Sequence, residues 1–233
     1  MKLFNFLSSI CVLTFSLFVS TSWSQETTFD YTGDYVSYTI PPGVSSIRIT
    51  AKGGQGASGN ADFIGGLGAS MSGDFVVEPG ATLILVVGGE GEGQGSGSNG
   101  GGGGGSFVVI EDPGSPFTIS DGIFAGTDVT PLIIAGGGAG TRGGCAQDGN
   151  PGLIGESGGI GVTTSTGGGG PSDIEPGYGG IFAPISYGSG GGGFIGDGGN
   201  DPAPGCGGLS FLNGATGGAC EAGCGDIAAG GFG

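Results

Sequence analysis

Apolar and polar positions alternate in short runs through the first half of the chain, and each run stops at a Gly or Pro turn. Tyr35-Val36-Ser37-Tyr38-Thr39-Ile40 alternates in part, and Ile47-Arg48-Ile49-Thr50-Ala51 alternates fully. That period of two is the mark of a half-buried strand. Pro41-Pro42-Gly43 between them is a turn signal, and Glu78-Pro79-Gly80 after Phe75-Val76-Val77 is another. Leu83-Ile84-Leu85-Val86-Val87 is apolar throughout, which predicts a strand covered on both faces. Phe107-Val108-Val109-Ile110 and Leu132-Ile133-Ile134-Ala135 follow. No helical period appears after the first two dozen residues. About seven short strands with such turns predict an all-β fold, a β-sandwich spanning residues 25–135.

From residue 136 to 233 the pattern changes. This block holds more than half of the chain's 64 glycines, in runs such as Gly136-Gly137-Gly138, 167–170 and 190–193. Single apolar residues stand between them, among them Leu153, Ile154, Ile181, Phe182, Phe194, Ile195, Leu209, Phe211 and Leu212. There is no strict Gly-X-Y period, so collagen is excluded. A flexible linker would carry Ser and charge between its glycines; these spacers are bulky and apolar. The ordered alternative is a bundle of extended threefold helices of the polyproline-II type, here made of glycine. Such helices have no internal hydrogen bonds, so their amides must pair with neighbouring helices. The spacers would turn the chain or plug the bundle ends. The insertions 53–68 and 88–105 are also glycine-rich and are expected to join this layer, making 25–233 one packed unit.

Residues 1–24 read as a secretory signal peptide: Lys2, an apolar stretch, and Ser22-Trp23-Ser24 before Gln25. No other stretch is long and apolar enough for a membrane-spanning helix. The expected location is secreted or cell-surface. The net charge is −16, and loses one more positive charge with Lys2. A surface this acidic excludes a nucleic-acid partner; the expected partner is a protein or glycan ligand, with a basic one favoured. Calcium is the one cofactor the acids suggest, with Gly196-Asp197-Gly198-Gly199-Asn200-Asp201 the nearest stretch, but the spacing of a calcium loop is missing.

No histidine is present, which removes Ser-His-Asp and Cys-His catalysis. Gly155-Glu156-Ser157-Gly158-Gly159 and Gly95-x-Gly97-x-x-Gly100 match a nucleophile elbow and a dinucleotide fingerprint. Neither has the strand-to-helix context those motifs need, so no enzyme is expected. Cys145, Cys206, Cys220 and Cys224 follow the signal segment. An even number in a secreted chain predicts disulfides over a metal site. Three connectivities are open. Cys145–Cys206 with Cys220–Cys224 is favoured, since Gly223 can supply the turn of the short second loop.

Several segments carry a resemblance when taken in order: Tyr31-Thr32-Gly33, Ile40-Pro41-Pro42-Gly43-Val44-Ser45-Ser46-Ile47, Lys52-Gly53-Gly54-Gln55-Gly56, Gly65-Gly66-Leu67-Gly68-Ala69 and Val86-Val87-Gly88-Gly89. So do the run 101–105 leading into Ser106-Phe107-Val108-Val109, Pro131-Leu132-Ile133-Ile134-Ala135-Gly136-Gly137-Gly138, the run 190–193 leading into Phe194-Ile195-Gly196, Ser210-Phe211-Leu212-Asn213-Gly214, and Gly230-Gly231-Phe232-Gly233. The chain resembles the glycine-rich extracellular module of the anaplastic lymphoma kinase and leukocyte tyrosine kinase receptors and of its bacterial relatives. The resemblance implies a jelly-roll sandwich of tumour-necrosis-factor type with an attached bundle of polyglycine helices. It also implies a part in recognising a basic polypeptide. The kinase motifs of those receptors are missing from these 233 residues. In that family the glycine block runs on past Gly-Gly-Phe-Gly, which implies that the sequence is a fragment.

Two functions fit this reading. One is a rigid recognition or adhesion module; the other is a matrix protein that self-associates through glycine layers. For the first, Tyr178, Phe182, Tyr187 and Phe194 are the candidate contacts, because aromatics among glycines offer contact area at small entropic cost. Phe182 and Phe194 are better suited to plugging the bundle.

Overall fold

The computed structural model describes residues 25–58, 62–93, 100–141, 148–154, 189–200, 207–218 and 231. Seven strands are formed among them: β1 (Val36–Thr39), β2 (Ser46–Lys52), β3 (Ser70–Val76), β4 (Thr82–Val86), β5 (Ser106–Glu111), β6 (Phe117–Thr118) and β7 (Asp128–Ala135). They make an antiparallel five-stranded sheet in the order β1-β4-β5-β7-β6 and a separate antiparallel ribbon, β2-β3. The chain is all-β, with a single 3-10 turn at Phe211–Asn213 among the described residues.

The larger sheet is buried on both faces, as its unbroken apolar runs require. Leu83, Leu85, Val108 and Ile133 point to one side, where the ribbon lays Ile47, Ile49, Ala51, Met71 and Phe75 against them. Ile84, Val86, Phe107, Val109 and Val129 point to the other side. There they meet Tyr35, Ile119 and three residues of the C-terminal half, Phe194, Phe211 and Ala215. Phe194 therefore lies in the sandwich core and does not plug a bundle end. Its ring stacks on Phe211 at 5.5 Å and meets Phe117 edge-on at 5.3 Å. The Tyr35 hydroxyl donates to the Phe211 carbonyl. Burial pushes its ionisation well above the ordinary phenol value, and Asp121 and Asp34 add to the shift.

Two strands run longer than the apolar pattern predicts. β7 begins at Asp128 and passes through Pro131, which has no N–H to give. The register against β5 slips there, between Val108 and Val109, and the irregularity absorbs the missing donor. β3 begins at Ser70 and includes Gly73, which looks like a strand breaker in sequence. A Cβ at Gly73 would stand 3.0 Å from the ring of Phe75, so the glycine makes room for that ring.

Five strands continue directly into glycine-rich segments at one end of the sandwich. β2 leads into 53–57, β4 into 88–93 and β7 into 136–141, while 65–69 precedes β3 and 100–105 precedes β5. Ser106 marks one such junction: its hydroxyl donates to the Lys52 carbonyl at 2.5 Å and accepts from Gly88 N–H at 2.8 Å.

Candidate functional site

The glycine segments are joined backbone to backbone, and the bonds recur every third residue. Gly100 and Gly103 donate to Thr141 and Gly138; Gly101 and Gly104 donate to Glu92 and Gly89; Gly102 donates to Ser189. Successive amides of one segment thus address three neighbours in rotation. The pattern holds elsewhere: Gly53 and Gly56 donate to Ala69 and Gly66, Gly54 and Ala57 to Gly104 and Gly101, and Gly138 and Thr141 to Gly54 and Ala57. A strand in a sheet has two bonded neighbours and a period of two. Segment 100–104 exchanges bonds with 54–57, 89–92, 138–141, Ser189 and Gly231, so the layer is a three-dimensional lattice of extended chains.

Glycine is needed here for its missing side chain and not for unusual torsions. Among the described residues the positive-φ glycines are Gly33, Gly43, Gly80, Gly114, Gly122, Gly126 and Gly214, all outside the lattice segments. Within the lattice, a Cβ at Gly54, Gly56, Gly66, Gly88, Gly103, Gly138 or Gly192 would fall inside 3.0 Å of a neighbour's backbone.

At the rim of this lattice two segments run parallel: Gly149 N–H donates to Ile64 O and Gly152 N–H to Leu67 O, both at 2.8 Å. Gly65 and Gly66 are buried, whereas Ile64 and Leu67 are 63 % and 65 % exposed. Leu153 and Ile154, on the adjoining segment, are 52 % and 73 % exposed. We call these four exposed apolar residues, carried on two hydrogen-bonded segments, the rim ridge. Exposed Asp62 and Asp148 stand beside it, and Asp148 accepts the Ile64 N–H at 2.8 Å. Tyr31, Val76 and Ile123 are the other large apolar side chains left exposed among the described residues.

The described basic residues lie elsewhere. Arg48 and Lys52 are the described ones, and both are on the outer face of the β2-β3 ribbon. Arg48 grips Asp74 through two bonds of 2.7 and 2.6 Å, which raises the guanidinium's affinity for its proton and holds the Asp74 carboxyl below its usual range. The Asp128 carboxyl is likewise lowered, first by the Thr118 hydroxyl and then by the Gly114 N–H.

The sequence candidates divide as follows. Tyr178, Phe182, Tyr187, Cys145, Cys206, Cys220 and Cys224 lie outside the described residues, as does the Gly155-Glu156-Ser157-Gly158-Gly159 motif. In the stretch suggested for calcium, Asp197 Oδ1 accepts from the Ser210 N–H at 2.7 Å and the Asn213 amide at 2.9 Å, and Asn200 accepts from the Gly207 N–H. These oxygens fasten the 3-10 turn and its approach to the sandwich. No group of three metal-binding side chains is present among the described residues, and none of their helices could cross a membrane. The ridge was missed in sequence. Its signal is the apolar spacing of three in Ile64-Gly65-Gly66-Leu67, legible only once a threefold chain is assumed.

No protein-family model matches the chain, and no curated protein matches it either.

Proposed function

We propose that the chain is a secreted or cell-surface recognition module, built as a jelly-roll-like sandwich carrying a lattice of polyglycine type-II helices. The supporting observation is the rotation of the amides of segment 100–104 through three neighbours with a period of three. A threefold extended helix has that period. A lattice so bonded holds its surface in one shape before any partner arrives, which lowers the ordering cost of binding. Its partner is a basic polypeptide or a glycan with basic groups, drawn by the acidic surface. This reading agrees with the resemblance to the glycine-rich module of the anaplastic lymphoma kinase and leukocyte tyrosine kinase receptors, and assigns the chain no catalysis. Light scattering across a wide concentration series tests it: a recognition module keeps the mass of one chain. Growth of the mass with concentration at physiological salt would instead make the glycine layer a self-assembling matrix.

A further inference from the structure

We propose that the rim ridge of Ile64, Leu67, Leu153 and Ile154 docks a basic, proline- or glycine-rich segment in the extended threefold conformation. The inference rests on the recognition reading above and names the partner class of this surface.

Two observations select that occupant. The first is spacing. The lattice bonds recur every three residues along 64–67 and along 149–152. In a threefold helix rising about 3.1 Å per residue, Ile64 and Leu67 stand one above the other, about 9 Å apart. An extended threefold partner presents its own side chains at that same interval, so its apolar groups drop between these two along the whole contact. An α-helix presents successive turns about 5.4 Å apart, and a strand alternate residues about 6.7 Å apart, and both fall out of step after one contact. The two ridge segments already lie side by side in parallel, bonded at a three-residue interval.

The second observation is charge. Asp62 and Asp148 flank the ridge, Glu90 and Glu92 are exposed on another lattice segment, and the described basic side chains are confined to the β2-β3 ribbon. Lys or Arg at the third position of a Pro-rich repeat would place cations against these carboxylates while the proline rings cover the aliphatic side chains. A preformed polyproline-II segment also loses little entropy on binding.

The test uses the chain from Gln25 onwards and a fluorescein-labelled Pro-Pro-Lys repeat peptide read by fluorescence anisotropy. A Pro-Pro-Glu repeat and an amphipathic Leu/Lys helix serve as comparison peptides. The Pro-Pro-Lys repeat is expected to bind, and Leu67→Ser or Ile64→Ser to weaken it by about tenfold. Val76→Ser, at a still more exposed apolar position on the outer face of the ribbon, should leave it unchanged. All three positions are exposed, so circular dichroism should show the variants folded. Equal affinity of the ridge variants and the parent would overturn the proposal, since charge alone would then hold the peptide. Tighter binding of the Leu/Lys helix would also overturn it, as would no binding of the Pro-Pro-Lys repeat by a chain that stays monomeric. Concentration-dependent assembly would instead sink the recognition reading on which the proposal rests.

Discussion

Adjacent glycines of the same run should respond in opposite ways to a single methyl group. Gly102 and Gly103 are both fully inside the lattice. A Cβ on Gly103 would fall on the backbone of Gly54, with the Gln55 carbonyl oxygen at 2.6 Å. Backbone cannot swing aside as a side chain can, so segment 53–57 must retreat. That movement loosens the bonds Gly54 to Gly104 and Ala57 to Gly101, at 2.8 and 2.9 Å, and the bond Gly138 to Gly54, at 2.9 Å. Two or three buried bonds at about 1 kcal/mol each, with an overpacking strain of about 1–3 kcal/mol, make Gly103→Ala destabilising by roughly 3–5 kcal/mol. A Cβ on Gly102 would instead sit 3.5 Å from Gly191 N and 3.7 Å from Gly138 O, ordinary contact distances. Gly102→Ala also restricts the unfolded chain, so it is expected to be neutral or stabilising by up to about 1 kcal/mol. Thermal melts of the two variants decide the matter. With about 2–4 °C per kcal/mol for a chain of this size, Gly103→Ala should melt roughly 10 °C below the parent and Gly102→Ala within a few degrees of it. Equal melting temperatures for Gly103→Ala and Gly102→Ala would refute the lattice packing.

Three other outcomes follow from the same structure. Gly192→Val should cost on the order of 2–4 kcal/mol, because its Cβ would strike the Leu209 carbonyl; Gly114→Val, with φ +90° and nothing within 4 Å, should cost only about 1–2 kcal/mol of torsional strain, and chemical denaturation of both variants measures the difference. Ser210 Oγ is fully buried and has no hydrogen-bond partner among the described residues, so Ser210→Ala should be neutral or raise stability by about 1 kcal/mol in the same assay. Tyr35 ionises above its ordinary value of 10.0 in the folded chain; it is neutral in both states below that pH, and above it the unfolded phenol loses its proton first, so stability present up to about pH 10 should fall as pH rises further. Melts from pH 8 to 11 should show that decline, smaller in Tyr35→Phe, and an unchanged alkaline slope in the variant would exclude Tyr35 as its source.

The strands of the sandwich were legible where side chains carried a period. Ile47 to Ala51 alternates because one face of the ribbon meets water, and Leu83 to Val86 does not because both faces of its sheet are covered. The all-β class follows from such local patterns, as does the exclusion of the common histidine-based catalysis from the absence of histidine. β3 escaped in part, since Gly73 reads as a breaker until the ring of Phe75 is seen beside it. In the glycine segments no side chain records the period. It is held in the directions of the amides, and those are set by which chains lie alongside. The sequence therefore made close backbone packing the expectation, but it could not separate Gly102 from Gly103, identical residues with different neighbours. Nor could it tell Phe194 and Phe211, which cross to the sheet and are buried there, from Ile64 and Leu67, which stay in water at the rim. All four are apolar residues of glycine-rich stretches, and their fates depend on whether the tertiary structure brings a second apolar surface within reach.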